Sequence, residues 1–214
     1  AEVEYVQSEG TLIDIRFPTE KGDLIVATSR PEFVPACVAL AVNPTDSRYS
    51  EYVGKEATVP IVDRRVPILK DELVDANFGS GVVMICTFGD KTDVRWQHKY
   101  NLPVVKLLDA QGRLTQEAGK YEGLQIQEAR EAIVGDLRNV SKIGGSKPIS
   151  REIGTCWRCH TPVEILSAPQ WFMKTKDMTD QIVDWTNRVS WVPDFSKNRM
   201  IEWARSLDWD WVIS

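Results

Sequence analysis

The sequence predicts a mixed α/β chain, with a core made mainly of strands, helices around it, and a return arm plus helical segment at the C-terminal end. Three observations predict this. Apolar runs of strand length recur between Thr11 and Cys86, separated by turn chemistry. Two patterns of helical period follow, over 92–100 and 125–139. Beyond Gly144 the composition changes, and six of the eight tryptophans lie from Trp171 onward.

Each element has its own signal. Thr11–Phe17 alternates with period two and so reads as a half-buried strand. Lys21-Gly22-Asp23 is a turn that leads into a strand at Leu24–Ala27. Val38–Val42 is a second apolar run, stopped by Asn43-Pro44. Tyr49–Val53 is expected to form a short helix before Gly54. Ala57–Val62 and Val66–Leu69 flank Asp63-Arg64-Arg65, which predicts a hairpin or tight corner there. Val82–Cys86 reads as a strand. Thr92–Tyr100 reads as a helix begun near Asp90. Gln125–Asn139 is the strongest helix, with Ile126, Ala129, Ile133, Val134 and Leu137 along one face. Gly144-Gly145-Ser146-Lys147-Pro148 reads as a flexible break, dividing a linker ribbon (1–10) and core (11–145) from the return arm (146–214). Val163–Phe172 is expected to be an extended arm with which Val3–Val6 pairs as a ribbon, followed by helices over Met178–Arg188 and around Trp203. Trp185, Trp191, Trp203, Trp209 and Trp211 read as packing groups rather than a base-stacking platform.

Composition excludes several classes. The 214 residues are 43% hydrophobic and 27% charged, an ordinary globular balance. No apolar run reaches the roughly 18 residues of a membrane span, and no signal-peptide pattern opens the chain, so no membrane partner is expected. Four cysteines with one close pair do not make a disulfide framework, which points to a reducing cytoplasm. A net charge of −5 counts against a general nucleic-acid binder, and leaves room for a domain that receives one end of a strand over a local basic rim. Arg64, Arg65 and Lys70, or Arg95, Lys99 and Lys106, are candidates for that rim; solvated surface charge is the equal alternative.

Chemistry concentrates at two strand ends. Leu24–Ala27 runs into Thr28, Ser29 and Arg30, followed by Pro31-Glu32. Val82–Cys86 runs into Thr87-Phe88-Gly89-Asp90-Lys91-Thr92-Asp93, with two carboxylates at Asp90 and Asp93. Strand ends that converge build a small polar pocket on a rigid apolar frame, suited to a hydroxylated, zwitterionic small molecule. Local alternatives exist for each group. Asp93 and Asp90 can cap or charge the first helical turn, Thr28–Arg30 can be a solvent-facing strand end, and Phe78 can be a core residue before the Gly79-Ser80-Gly81 turn. The two histidines, His98 and His160, lie outside these motifs, and no Ser-His-Asp or Cys-His set is visible.

These segments resemble the editing domain inserted in valyl-tRNA synthetases. The likeness runs in order through T-S-R-P-E (28–32), Ala41-Val42-Asn43-Pro44, G-S-G followed by T-F-G-D-K-T-D, Asn101-Leu102-Pro103, A-G-K-Y-E-G-L (118–124), Cys156-Trp157-Arg158-Cys159, S-A-P-Q-W-F (167–172) and D-W-D-W-V-I-S (208–214). The T-F-G-D-K-T-D wording is similar to archaeal members; bacterial ones tend to carry histidine at the position of Gly89. The resemblance implies a β-barrel-like core and hydrolysis of the ester of mischarged threonyl-tRNA(Val) by direct attack of water. Partners implied are the 3′ end of tRNA(Val), the threonine moiety of that tRNA or of threonyl-AMP, and the rest of the synthetase. The aminoacylation site is expected to be absent from this stretch.

By the same resemblance Asp93 binds the substrate ammonium and Asp90 lines the pocket. Thr28, Ser29 and Arg30 surround the terminal adenosine and the scissile ester, and Phe78 stands near the substrate. Bacterial relatives often carry lysine where Met84 stands and threonine where Cys86 stands. Recognition of the threonine hydroxyl then falls to Cys86, Thr87 or Lys91.

Cys156-Trp157-Arg158-Cys159-His160 matches a haem-attachment pattern as text, without an export signal. It is also half of a zinc site, which needs two more ligands. Editing needs no cofactor, and zinc is an expectation for the full-length enzyme. Two other readings stay open beside the hydrolase: a non-catalytic binder of the tRNA 3′ end, and a metal- or haem-binding module built on Cys156 and Cys159.

Overall fold

Strand β1 (Val3–Thr19) organises the sheet, pairing with other strands over almost its whole length. The computed structural model describes residues 3–207 and 210–213. The alternation read over Thr11–Phe17 lies inside β1 and buries Leu12, Ile15 and Phe17. The buried parity changes between Leu12 and Ile15, where the register against the neighbouring strand shifts at Asp14/Ile15. A bulge of this kind bends the strand and re-aims the residues beyond it.

A tight turn returns the chain into β2 (Gly22–Thr28), antiparallel to β1. The wholly buried β3 (Cys37–Val42) follows a single 3-10 helix over Pro31–Ala36. Strands β4 (Glu56–Val59) and β5 (Arg64–Lys70) form an antiparallel hairpin. β5 runs parallel to β3, and β6 (Val82–Cys86) runs antiparallel to it on the other side. The order is β2-β1-β4-β5-β3-β6, with β7 (Ile143–Cys156) also pairing with β1. The sheet curls into a half-barrel. Its curl brings β6 back alongside β2. Gly79, just before β6, sits so close there that a Cβ on it would lie 2.6 Å from Cβ of Ala27.

Helix α1 (Lys91–Tyr100) is capped by Asp90 and closes on a left-handed Asn101. Helix α2 (Ile126–Asn139) opens with the Glu128 carboxylate accepting from the Gln125 N–H at 2.9 Å. Its Ala129, Ile133 and Leu137 are fully buried, with Ile126 and Val134 half-buried beside them, as the periodicity predicts.

Four sequence expectations change. Gly144–Pro148 is not a break: it lies within β7, paired with β1 from Thr11 to Asp14. Gly144 sits where the register shifts, and a Cβ on it would make only an ordinary contact with Asp14 at 3.5 Å. The chain instead divides into compact units at Ser167/Ala168. Val3–Val6 pairs with Ile153–Cys156 of β7 and not with the later arm, because β7 offers a continuous ladder. Tyr49–Val53 forms hydrogen-bonded turns after a 3-10 turn at Ser47–Tyr49, too short to nucleate an α-helix. The hairpin corner falls at 60–63, where Ile61 and Asp63 adopt positive φ, so Arg64 and Arg65 belong to β5.

The second unit, from Ala168 onward, holds α3 (Thr179–Arg188), α4 (Phe195–Arg205) and a small ribbon of β8 (Phe172–Met173) and β9 (Trp211–Val212). The stretch before β8, 163–171, has no regular structure, as expected of an arm. Trp203 and Trp211 meet edge to face with centroids 5.7 Å apart, and Trp191 donates its indole N–H to the Thr186 carbonyl at 2.8 Å. These are packing roles. Trp185 and Trp211 nonetheless each keep 53% of their surface exposed. Trp209 and the rest of its motif at Asp208 and Ser214 lie outside the described residues.

Candidate functional site

The two motif-bearing strand ends meet. Between the end of β2 and the β6–α1 junction lies a cavity of about 180 Å³. Thr28, Ser29 and Arg30 line one side; Asp90 and Asp93 line the other. Phe78, Met84 and Cys86 complete the apolar part.

On the first side, Thr28 Oγ1 accepts from the Arg30 N–H at 3.0 Å, turning the chain sharply out of β2. Pro31 then starts the 3-10 helix. The Arg30 guanidinium lies over the Phe33 ring, 4.2 Å from its centroid. It donates from Nε to Glu32 at 3.1 Å, from Nη1 to the Gly89 carbonyl at 2.9 Å and from Nη2 to Glu164 at 2.6 Å. The Gly89 bond ties the two strand ends together across 59 residues. Glu32 is only 1% exposed, and Arg130 of α2 clamps it with two bonds of 2.9 Å. Such planar two-point pairing is the strong form of carboxylate recognition. Burial works against the Arg30 charge, but Glu164 and Glu32 outweigh it and hold its pKa above the ordinary value.

Backbone amides hold the second side. Asp93, 5% exposed, accepts from the Cys86 N–H at 3.2 Å on one oxygen and from Gly89 and Asp90 at 2.8 and 3.1 Å on the other. Asp90 returns the bond, its Oδ1 accepting from Thr92 at 2.7 Å and Asp93 at 3.0 Å. This is a reciprocal capping box. The capping alternative and the pocket-lining expectation are therefore both realised in the same two side chains. Among the described residues no hydrogen bond reaches Oδ2 of the exposed Asp90. Desolvation, with the nearby Asp90 charge, raises the Asp93 pKa to about 7, against the pull of the three amides.

Two expected site residues stand elsewhere. Thr87 follows Cys86 and so points to the opposite side. Its hydroxyl accepts from the Val105 N–H at 2.8 Å, in the wall of a separate cavity of about 20 Å³, room for one water. Lys91, the first residue of α1, reaches outward to the Tyr5 hydroxyl at 2.9 Å. Cys86 does line the cavity. Burial, then the Cys37 thiol beside it on β3, pushes the Cys86 pKa well up, so this sulfur is not a ready nucleophile.

Half of the expected basic rim residues are engaged within the fold. Arg64 donates to the Pro35 and Cys37 carbonyls at 3.2 Å, Arg65 pairs with Glu56, and Lys99 pairs with Asp71. The arginines that do approach the cavity loop are Arg130 of α2 and Arg151 of β7, whose Nη1 donates to Ser29 Oγ at 3.1 Å. Glu164 arrives from the arm. Sequence reasoning missed all three, and no local motif marks them.

Cys156 and Cys159 flank a turn closed by the His160 N–H on the Cys156 carbonyl at 2.8 Å. Hydrogen bonding to Thr161 lowers the Cys159 pKa, which favours the metal-binding thiolate. Among the described residues no group of three or more His, Cys, Asp or Glu gathers there, so the donors are half the tetrahedral set that zinc requires.

The half-barrel belongs to a known class. All residues, 1–214, match the model for tRNA synthetases class I (I, L, M and V), and the chain belongs to that family. A solved structure of LeuRS from Agrobacterium radiobacter K84, in a ternary complex with tRNA and LeuAMS, is similar at a TM-score of 0.50. It covers 74% of this chain and 24% of that one, and at 16% identity it shows the fold alone. Within the family, the chain is similar to valine–tRNA ligases. It is 50% identical to that of Methanosarcina barkeri and 49% identical to that of Methanosarcina mazei, over 100% of this chain and 24% of each relative. The ligase of Methanocaldococcus jannaschii is 44% identical, with 25% of its length covered. The chain thus spans about a quarter of the curated relatives it matches. No helix among the described residues is long and apolar enough to cross a membrane.

Proposed function

We propose that this chain is the proofreading domain of a valyl-tRNA synthetase, hydrolysing the ester of threonyl-tRNA(Val). One observation carries the reading: a single cavity joins the hydroxyls and guanidinium of 28–30 to the carboxylates of Asp90 and Asp93. At about 180 Å³ it is smaller than the roughly 300–1,000 Å³ of sites for drug-sized ligands. That size suits one small amino-acid moiety.

The need for such a site follows from shape. Threonine and valine are nearly isosteric, and valyl-tRNA synthetases are themselves the standard example of an apolar pocket that rejects an added hydroxyl by only about a hundredfold. A polar second pocket inverts the preference, because threonine gains there a hydrogen bond to a charged acceptor, worth about 1.5–3 kcal/mol, that valine cannot make.

In this reading Asp93, once ionised, holds the substrate ammonium. The acceptor we assign to the threonine alcohol is Oδ2 of Asp90. Thr28, whose oxygen already accepts from Arg30, keeps its proton to donate to the ester carbonyl. Arg30, fixed by three partners, supplies a stationary positive edge to the developing oxyanion. Water attacks the carbonyl carbon, the ester C–O bond breaks, and the ribose oxygen takes up a proton, releasing threonine and the tRNA 3′ hydroxyl. An aminoacyl ester is already activated, so positioning and charge stabilisation suffice.

The test is deacylation of threonyl-tRNA(Val) and valyl-tRNA(Val) by this chain and by Asp93→Ala. Threonine release is expected to exceed valine release, and Asp93→Ala is expected to lower it about a hundredfold, in line with losing one preorganised electrostatic contact. Binding of the tRNA without release of threonine by the unmutated chain would replace this reading with a non-catalytic end-binder. A haem absorption band, or one zinc per chain, would bring forward the Cys156–Cys159 module.

A further inference from the structure

Three guanidinium groups gather behind the cavity loop: Arg30 on it, Arg130 from α2 and Arg151 from β7. Two carboxylates, Glu32 and Glu164, answer them. Glu32 serves Arg30 and Arg130, and Glu164 serves Arg30. Arg151 has no carboxylate partner among the described residues; its one hydrogen bond is the 3.1 Å contact from Nη1 to Ser29 Oγ. A guanidinium carries five N–H donors. Nε of Arg151 is buried without a partner, against Gly10, where a Cβ would stand 3.4 Å away. Burial, then the positive charges of Arg130 and Arg30, lower the Arg151 pKa against the smaller pull of Glu32 and Glu164.

A half-buried cation crowded by two others, with no carboxylate bonded to it and one donor buried unpaired, works against folding. Its geometry suits a missing anion. Ser29 lines the cavity, and its oxygen accepts from Arg151, so its own proton is free to be donated outward. An oxyanion at that rim would receive the serine O–H together with the free Nη N–H groups of Arg151, an arrangement that favours phosphate.

We propose that Arg151 and Ser29 form a phosphate-binding position at the rim of the cavity, holding the phosphate attached to the nucleoside that enters it. The inference rests on the proofreading reading for the identity of that nucleoside, and on an arginine with no carboxylate bonded to it for its chemistry. Two sources share this chemistry: the phosphodiester before the terminal nucleoside of an RNA, and the 5′-phosphate of an adenylate.

The test uses the full chain with three probes: a short fluorescent single-stranded RNA ending in C-C-A and carrying no amino acid, AMP, and inorganic phosphate. Affinities are compared for the unmutated chain, Arg151→Gln and Arg151→Lys between 50 and 200 mM salt. Arg151→Gln is expected to weaken RNA binding about tenfold, as for one lost charge-assisted bond. It is also expected to reduce the slope of log affinity on log salt by about 0.7, the value for one phosphate contact on a single strand. Arg151→Lys should retain the slope. Loss confined to AMP assigns the site to an adenylate; loss for RNA assigns it to the strand.

Urea unfolding is expected to find Arg151→Gln at least as stable as the unmutated chain. A stability loss with unchanged binding assigns Arg151 to the fold and overturns the proposal. So does weaker binding with an unchanged slope, which would mean that Arg151 only positions Ser29. Binding of none of the three probes by the unmutated chain overturns it as well. Threonyl-tRNA deacylation is followed in parallel. Because the RNA probe carries no ester, failure to hydrolyse removes the proofreading reading while leaving the phosphate measurement decisive.

Discussion

The two sides of the cavity are held by opposite means. The Thr28–Arg30 side hangs on ion pairs from remote elements, Arg130 on α2 through the buried Glu32 and Glu164 on the arm directly to Arg30. The Asp90–Asp93 side is held by amides within eight residues of chain, from Cys86 to Asp93. The contrast teaches that one pocket can combine a charge network, sensitive to a single lost partner, with a local capping box that loses little when one member is removed.

The sharpest way to break this comparison is Glu32→Ala. It strands Arg130 and loosens Arg30 in a buried setting, and removing one member of such a network costs about 3–5 kcal/mol. Urea denaturation should read that loss. A change below about 1 kcal/mol, the range of exposed pairs, would show that the network is not what holds this side.

A second prediction concerns pH. The Asp93 pKa of about 7 lies above the ordinary 3.8, so the folded chain keeps a proton that the unfolded chain releases as pH rises from about 4 to 7. The stability this group contributes is fully present below about pH 4 and is lost as pH rises through 7. Binding runs the other way, because a cationic ligand needs the carboxylate. Affinity for threonine methyl ester, followed by calorimetry, should rise about tenfold per unit up to pH 7 and fall again above about pH 8, where the ligand's own amine loses its proton. Asp93→Asn should abolish that rise. A flat profile in the unmutated chain would remove Asp93 as the ammonium contact.

The smallest expected effect is that of Asp90→Ala. It deletes an N-cap and should cost about 0.5–2 kcal/mol, measured by the same unfolding. A cost equal to that of Glu32→Ala would erase the distinction between the two sides.

This distinction also explains what could be read in the sequence. The D-K-T-D side was legible because a capping box is written in adjacent residues, and the same letters that cap the helix line the cavity. Strand patterns likewise gave β1 to β6 nearly in place. The Arg30 side was legible only in part. Its loop announces itself, but Arg130, Arg151 and Glu164 come from 98 to 134 residues away, and an arginine on a helix carries no local sign of what it will clamp. Gly144–Pro148 misled for a related reason. Its glycines signal a turn locally, whereas the long ladder with β1 overrides that preference. Thr87 and Lys91 were placed by proximity in sequence, and strand alternation and helix direction turned each away.

The seam between Ala27 and Gly79 carries one more consequence. Gly79 has φ +59, and a methyl group there would meet Ala27 at 2.6 Å. The spacing of the chamber's flanks is thus encoded by an omission, a hydrogen standing where any other residue brings carbon. A side chain at position 79 would act as a wedge, prising the half-barrel open beside its polar groups without replacing any of them.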